Sequence, residues 1–353
     1  MVSGHRGLQV SVITSSSSFP LDALLSAISG DDVDAIELYA LRHVDTMALK
    51  EQGVAAFRAD QRDGVRRIAE SIAALSDADI EHTARWVRRT LQVAAARRGR
   101  PFRVSAVATF FPEIVSLSES LREVAVKALV NACRLASAID AGCVEMVTGS
   151  RLDTCLCGRF RPGGRCRRIR CTSEEKKLRL LADGIGQVVA KTPDLDVCLA
   201  VEMETDPYNV VHDLASLRRL TDHLPPATAR RCGINLDFAH FFINGVDAAD
   251  LRTNALGGRI VNAHISDTAG AHMQDLIPGA YNRILGPRGA DGVEMRSKYT
   301  EYASLLWERL EGNPNGLPFT GAVSVELEFC DWVDWVRTAL RKTSYLLEAA
   351  RPN

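Results

Sequence analysis

Short apolar, β-branched runs recur along the chain, and longer stretches with helical periodicity separate them. The strand-like runs are 8–14, 33–39, 102–109, 144–147, 197–203, 233–237, 260–265 and 322–327. Helical spacing of apolar residues is seen near 21–28, over 79–98, 118–141 and 174–190, near 214–223, briefly before 260, and over 332–348. Strands joined through helices favour parallel neighbours, because a parallel pair needs a long crossover. Eight such units predict an α/β fold, a (β/α)₈ TIM barrel formed by 1–353 as a single domain, with insertions after strands 2, 4 and 7. An open doubly wound sheet is the structural alternative. No glycine-rich dinucleotide or phosphate loop follows the first run, which weakens it.

The second half carries most of the chemical information. Four successive strand candidates end in groups able to hold a metal: Leu199-Ala-Val-Glu202, Asn235-Leu-Asp237-Phe-Ala-His240, Asn262-Ala-His264-Ile-Ser-Asp267 and Val323-Ser-Val-Glu326. Apolar residues come first in each and the ionisable group comes last. A carboxylate inside a barrel is costly, whereas one at the carboxyl ends of the strands lies where those ends converge. Any one of these residues has a plainer explanation. A strand-end Glu can be a salt-bridged rim residue, and a lone His can be a hydrogen-bonded core residue. Four consecutive strands ending this way point to one shared site. Carboxylates and imidazoles at these ends form a hard, oxygen-rich donor set, suited first to Mn²⁺, with Mg²⁺, Co²⁺ and Zn²⁺ as alternatives.

These motifs resemble the xylose isomerase-like barrel superfamily of sugar isomerases, epimerases and related lyases. Its late strands carry an apolar-x-x-Glu, an Asp-x-x-His, a His-x-x-Asp and a final Val-x-Val-Glu ending, the order found here between 197 and 330. The resemblance implies that Glu202, Asp237, His264 and Glu326 bind one divalent cation. It also implies that Glu202 and Glu326 exchange protons with the substrate, and that His240 faces it. Tyr39, Phe110, Glu204, Phe238 and Asp267 are further candidates for substrate contact, with Phe111 and Phe241 nearby. The aromatic residues could equally fill the barrel top. Ketose 3-epimerases of the superfamily carry an Arg six residues after the strand-seven His and a second Glu six residues after the strand-five Glu. This chain has Gly270 and Tyr208 there. Glu204 shares a strand face with Glu202 and is a candidate replacement for that second Glu.

The expected activity is therefore a metal-dependent isomerase or epimerase of a sugar or sugar-like polyol, working by proton transfer through a metal-stabilised enediolate. A lyase dehydrating a polyol, keto-inositol or cyclic hydroxy acid is the alternative within the fold. A non-catalytic polyol-binding barrel is the alternative outside enzymes. A DNA-repair endonuclease of the same barrel type would need histidines at the early strand ends, which offer Tyr39, Thr109 and Glu145.

Composition changes this picture little. Charged residues make up 25% and hydrophobic ones 46%, and the formal net charge is −1, so no strong field for nucleic acid or acidic membranes is expected. The polar start, Met1-Val-Ser-Gly-His-Arg-Gly7, has no apolar signal core, so a cytoplasmic location is expected. Homo-oligomers are compatible with the sequence. Nine cysteines argue against a disulfide framework. Cys133, Cys143, Cys198, Cys232 and Cys330 lie in or beside apolar runs and read as buried small hydrophobes. Cys155, Cys157, Cys166 and Cys171 sit in an insertion, 151–172, with seven arginines including Arg151 and Arg170. This insertion is expected on the catalytic face. It is either a small structural Zn²⁺ site or a reduced, basic lid whose arginines could clamp an anionic substrate group.

Overall fold

The computed structural model describes residues 7–14, 20–30, 33–40, 69–153, 170–268, 290–311, 316–327 and 333–352. Eight parallel strands form a nearly closed barrel: β1 (Gln9–Val12), β2 (Ala35–Tyr39), β3 (Arg103–Thr109), β4 (Cys143–Met146), β5 (Cys198–Glu202), β6 (Cys232–Asp237), β7 (Ile260–Ile265) and β8 (Ala322–Val325). Their order around the sheet is β1-β8-β7-β6-β5-β4-β3-β2. A parallel bridge between Ile13 and Glu37 brings the two end strands together, and the Tyr39 amide donates to Thr14 Oγ1 at 2.8 Å across the same seam.

Helices lie around the strands: α1 (Leu21–Ala27), α2 (Asp77–Arg98), α3 (Glu119–Ala138), α4 (Glu174–Ala190), α5 (Leu214–His223), α6 (Phe238–Ile243), α7 (Ala290–Glu311) and α8 (Val333–Ala349). Local chemistry sets several of their ends. Ser76 and Asp79 form a capping box at the start of α2, and Gly99 closes it in the left-handed conformation, φ 75°. Asp213 and Ser216 do the same at the start of α5. Among the described residues no helix is long and apolar enough to cross a membrane.

The strands are buried on both faces, as parallel barrel strands must be. Successive side chains on a strand point to opposite faces. On β5, Leu199 and Val201 join the large core beneath the helices, while Cys198 and Ala200 belong to a second cluster with Ala106, Cys143 and Val261. Glu202 continues the second parity. The same alternation gives Glu37 between Ile36 and Leu38, Glu145 beyond Val144, Asp237 beyond Leu236, His264 between Ala263 and Ile265, and Glu326 beyond Val325. Small residues fill the lower interior, where Ser11 and Ser105 meet at 3.2 Å, and ionisable ones occupy the upper interior.

Register shifts at Ile36/Glu37 and at Ile234/Asn235 adjust two of the seams. Gly149 marks the exit of β4. Its φ is +71°, and a Cβ there would lie 2.3 Å from the Pro112 carbonyl oxygen, so the close approach of the two loops requires glycine.

Two expectations need correction. Residues 290–311 form the long helix α7, which the sequence pattern did not disclose. Phe238 and Phe241 do not line the barrel mouth. The chain turns into α6 directly after Asp237, so both rings pack against α7: Phe238 lies edge-on to Tyr299 and Tyr302, and Phe241 to Tyr302. The expected insertions after strands 2, 4 and 7 fall largely on 41–68, 154–169 and 269–289, outside the described residues. Cys155, Cys157, Cys166, Cys330 and Gly270 also lie outside them. Cys171 is described. It is exposed, in a two-residue strand paired antiparallel with Leu152–Asp153.

Cys133, Cys143, Cys198 and Cys232 are buried and free. Burial pushes the Cys133 and Cys232 thiols up to about 12 and Cys198 to about 11, and holds Cys143 well above the ordinary range. Only the thiolate alkylates readily. Brief iodoacetamide treatment at pH 8 should therefore modify Cys171 and spare these four until the protein is unfolded, as read by peptide mass spectrometry. Labelling of Cys143 at the rate of Cys171 would contradict this packing.

Candidate metal centre

Each of the four strand-end residues reaches the same small volume. One ligand atom from each of Glu202, Asp237, His264 and Glu326 lies within 4.8 Å of the others. Consecutive barrel strands β5, β6, β7 and β8 supply them, and the register pairs Asp237 with His264 directly. Glu202, Asp237 and His264 are buried, whereas the Glu326 side chain is 25% exposed and marks the open side.

The hydrogen bonds orient these groups. Asn235 Nδ2 donates to Glu202 Oε1 at 2.9 Å. Asp237 caps α6, its Oδ1 accepting the His240 amide at 2.7 Å, which leaves Oδ2 buried with no hydrogen-bond partner. His264 Nδ1 lies 2.8 Å from Glu326 Oε2 and 3.5 Å from Glu202 Oε1. Both are ion-pair contacts, and this buried nitrogen makes no hydrogen bond. Two orphaned buried donor atoms facing two carboxylates is an arrangement suited to a divalent cation.

Two further carboxylates, unassigned by the sequence reasoning, enter the interior from the early strands. Glu37 on β2 is fully buried and its Oε1 lies 3.0 Å from His264 Nε2. Glu145 on β4 accepts the Thr109 amide at 3.3 Å through Oε2, and its Oε1 has no partner. The available signal was a glutamate in the middle of an otherwise apolar run, Ile36-Glu37-Leu38 and Val144-Glu145-Met146, where burial would be costly without a specific partner.

Electrostatics follow from this crowding. Burial, with Glu202 beside it, holds the Glu145 carboxyl well above the usual carboxylate range. Burial also raises Asp237, and it pushes Glu204, near Glu202, up to about 7 despite the opposing charge of His240. His264 moves the other way. Burial opposes its charge, but Glu37 and Glu326 outweigh burial and hold the imidazole well above its usual range. The cluster is short of positive charge, and His264 and added protons supply it where no metal is bound.

Of the remaining candidates, His240 is buried with Nδ1 2.7 Å from the Met203 carbonyl. Tyr39 sits at the end of β2, its phenol kept protonated by burial and by Glu145 and Glu326. Phe110 is partly exposed after β3. Asp267 is fully buried, with Oδ1 accepting the Thr268 amide at 2.9 Å. Phe238 has no exposed face. Arg151, one of the arginines considered for anion binding, is tied to Glu174 at 3.4 Å and donates to the Pro207 carbonyl at 2.6 Å.

The family model described as xylose isomerase-like TIM barrel matches residues 46–313, more than half of the chain. The chain belongs to this family. By sequence, no curated protein matches it. Solved structures similar to this xylose isomerase-like barrel include the IOLI protein with a bound zinc atom, at 13% identity and TM-score 0.63, covering 98% of this chain and 100% of that one. A D-psicose 3-epimerase determined in the presence of D-fructose matches at 12% identity and TM-score 0.57, covering 96% and 99%. The probable 3-DHS dehydratase AsbF from Bacillus anthracis matches at 12% identity and TM-score 0.53, covering 96% and 99%. At these identities the likeness establishes the fold.

The buried Glu145 carboxyl has a consequence for stability. Its folded-state value lies above the ordinary 4.5, so the folded protein binds a proton that the unfolded chain has lost. That contribution is fully present below about pH 4.5 and is lost as pH rises towards the folded value, with a slope of at most about 1.4 kcal/mol per pH unit. Glu145→Gln should flatten this decline in the metal-free barrel. Denaturant unfolding of both proteins between pH 5 and 8 checks it, and parallel pH profiles would show that Glu145 is ionised when folded.

Proposed function

We propose that this xylose isomerase-like barrel is a divalent-metal-dependent isomerase or epimerase acting on a sugar or sugar-like polyol. The observation that carries the reading is the convergence of four ligand atoms within 4.8 Å, with Asp237 Oδ2 and His264 Nδ1 buried and without hydrogen-bond partners. Glu202, Asp237, His264 and Glu326 would hold the cation, with Mn²⁺ the first candidate and Mg²⁺, Co²⁺ and Zn²⁺ also compatible with the donor set. The zinc in the similar IOLI structure supports a metal without choosing among these. When bound, the cation would supply polarisation of a carbonyl and a neighbouring hydroxyl, making the C–H between them more acidic.

The chain's own residues would do the rest. Glu202, reached from the buried side and held by Asn235, and Glu326, at the open side, are two carboxylates able to take a proton from one carbon and return one. Return to the other face of the same carbon is epimerisation, and return to the neighbouring carbon is isomerisation. His240, held by the Met203 carbonyl, is the candidate to orient a substrate oxygen. Tyr39, Phe110, Glu204 and Asp267 would contact the polyol near the same strand ends. The insertion 151–172, within a single barrel domain, would be a loop over the catalytic face.

The second reading is dehydration of a polyol, keto-inositol or cyclic hydroxy acid, supported by the structural likeness to a probable dehydratase. Both begin with removal of a proton next to a carbonyl, so the fate of that proton separates them.

The test is a panel of ketoses, keto-inositols and cyclic hydroxy acids incubated in D₂O with protein saturated in Mn²⁺, followed by NMR. Exchange of a C–H for C–D without loss of water is expected. Exchange with loss of water would favour the lyase, and no exchange across the panel with metal bound would leave a binding protein. Glu202→Gln and Glu326→Gln, each assayed with metal content measured, should lower exchange by about 10²–10⁴-fold, because an amide cannot accept the proton. Rates near wild type in the metal-loaded variants would overturn the two-carboxylate mechanism.

A further inference from the structure

His264 is the one nitrogen ligand of the proposed centre, and an imidazole offers a metal only the nitrogen that carries no proton. Which nitrogen that is depends on the partner of the other. Here the other, Nε2, lies 3.0 Å from Glu37 Oε1 in the closed interior of the barrel. Neither side chain has more than 1% of its surface exposed, so water does not compete for this contact. Asn262 fixes the carboxylate from a second side. Its Nδ2 lies 3.2 and 3.3 Å from the two Glu37 oxygens, and its Oδ1 accepts from Thr320 Oγ1 at 3.3 Å, which sets the direction of the amide.

An ionised carboxylate accepts and cannot donate. Both Glu37 oxygens accept from the Asn262 amide, the arrangement of a carboxylate, and although Asn262 Nδ2 also lies 3.3 Å from Nε2, the nearer Glu37 Oε1 is the acceptor that Nε2 faces. The proton between Glu37 and His264 must then sit on Nε2. Nδ1, which has no hydrogen-bond partner in the structure, is left to face Glu202, Asp237 and Glu326.

We propose that Glu37 is the positioning residue of this site, holding His264 as the Nε2–H tautomer and turning its Nδ1 lone pair towards the cation. The inference rests on the metal-site reading above. Glu37 comes from β2 and His264 from β7, strands far apart in the sheet order, so the contact spans the barrel interior. Thr320, Asn262, Glu37 and His264 thus form one hydrogen-bonded line from the lower interior to the metal position. A carboxylate behind a histidine ligand raises the basicity of the ligand and fixes its ring, and loss of such a partner typically weakens metal binding by about 10–100-fold.

Titration calorimetry with Mn²⁺ and with Zn²⁺ tests this on wild type, Glu37→Gln, Glu37→Asp and Asp237→Asn, with thermal unfolding of each metal-free protein alongside. Glu37→Gln keeps the shape and one acceptor but loses the charge. It should weaken both metals about 10–100-fold while remaining folded. Glu37→Asp keeps the charge at shorter reach and should recover part of the loss. Nitrogen NMR of ¹⁵N-histidine-labelled, zinc-loaded protein should show His264 protonated at Nε2, with that proton's strongly deshielded signal moved upfield in Glu37→Gln. A wild-type affinity in folded Glu37→Gln, or His264 protonated at Nδ1, would overturn the assignment. The site reading fails differently: wild type would then bind neither metal, or Asp237→Asn would bind as tightly as wild type.

Discussion

Five carboxylates, from Glu37, Glu145, Glu202, Asp237 and Glu326, share the upper interior of one barrel with the imidazole of His264. Isolated buried carboxylates are costly, and several together add repulsion to desolvation. The structure answers in three ways. Glu37 is held towards its ionised form by His264 and Asn262, Glu145 is driven towards its neutral form, and Asp237 turns one oxygen to the His240 amide in the first turn of α6. What remains, an Asp237 oxygen and a His264 nitrogen without hydrogen bonds beside Glu202 and Glu326, is a deficit of positive charge of the kind a divalent cation fills.

The barrel tolerates this because its two ends are built differently. Ser11, Ala106, Cys143, Cys198, Ala200 and Val261 make the lower interior small and largely apolar, with the hydroxyl pair Ser11–Ser105 inside it. Arg103 ties the base together, donating to Gln9 Oε1 at 2.5 Å and to the Thr320 carbonyl at 2.7 Å. The rigid strands above can then hold charged groups in fixed directions, which loops could not do as well. Because the strands run parallel, their carboxyl ends all emerge at one face, and residues more than a hundred positions apart meet there.

The outer layer completes the arrangement. Phe238 and Phe241 on α6 lock against Tyr299 and Tyr302 on α7, whose hydroxyls donate to the Ser266 and Val246 carbonyls. That packing anchors the turn at Asp237, and so the direction of its free oxygen. The aromatic residues beside the site therefore act on it through the backbone.

Much of this was legible along the chain. Strand runs followed by helical spacing announced a parallel α/β barrel, since alternation of the two periods leaves few other topologies. The candidate ligands Glu202, Asp237, His264 and Glu326 stood out because each follows its own apolar run, and the resemblance joined them into one set. Glu37 and Glu145 lay in equally visible strands but could not be assigned. Their roles depend on which strand faces which across the interior, and that is set by barrel closure between β1 and β2. Phe238 was misplaced because a helix starting at the next residue reverses the direction of a side chain, and only the Asp237 cap shows where it starts. Helix α7 was hidden by a weakly periodic, polar stretch that gains its order from contact with α6 and α8. Periodicity records which face of an element is buried. Partners across a barrel are long-range choices, decided by closure and by the matching of buried charge.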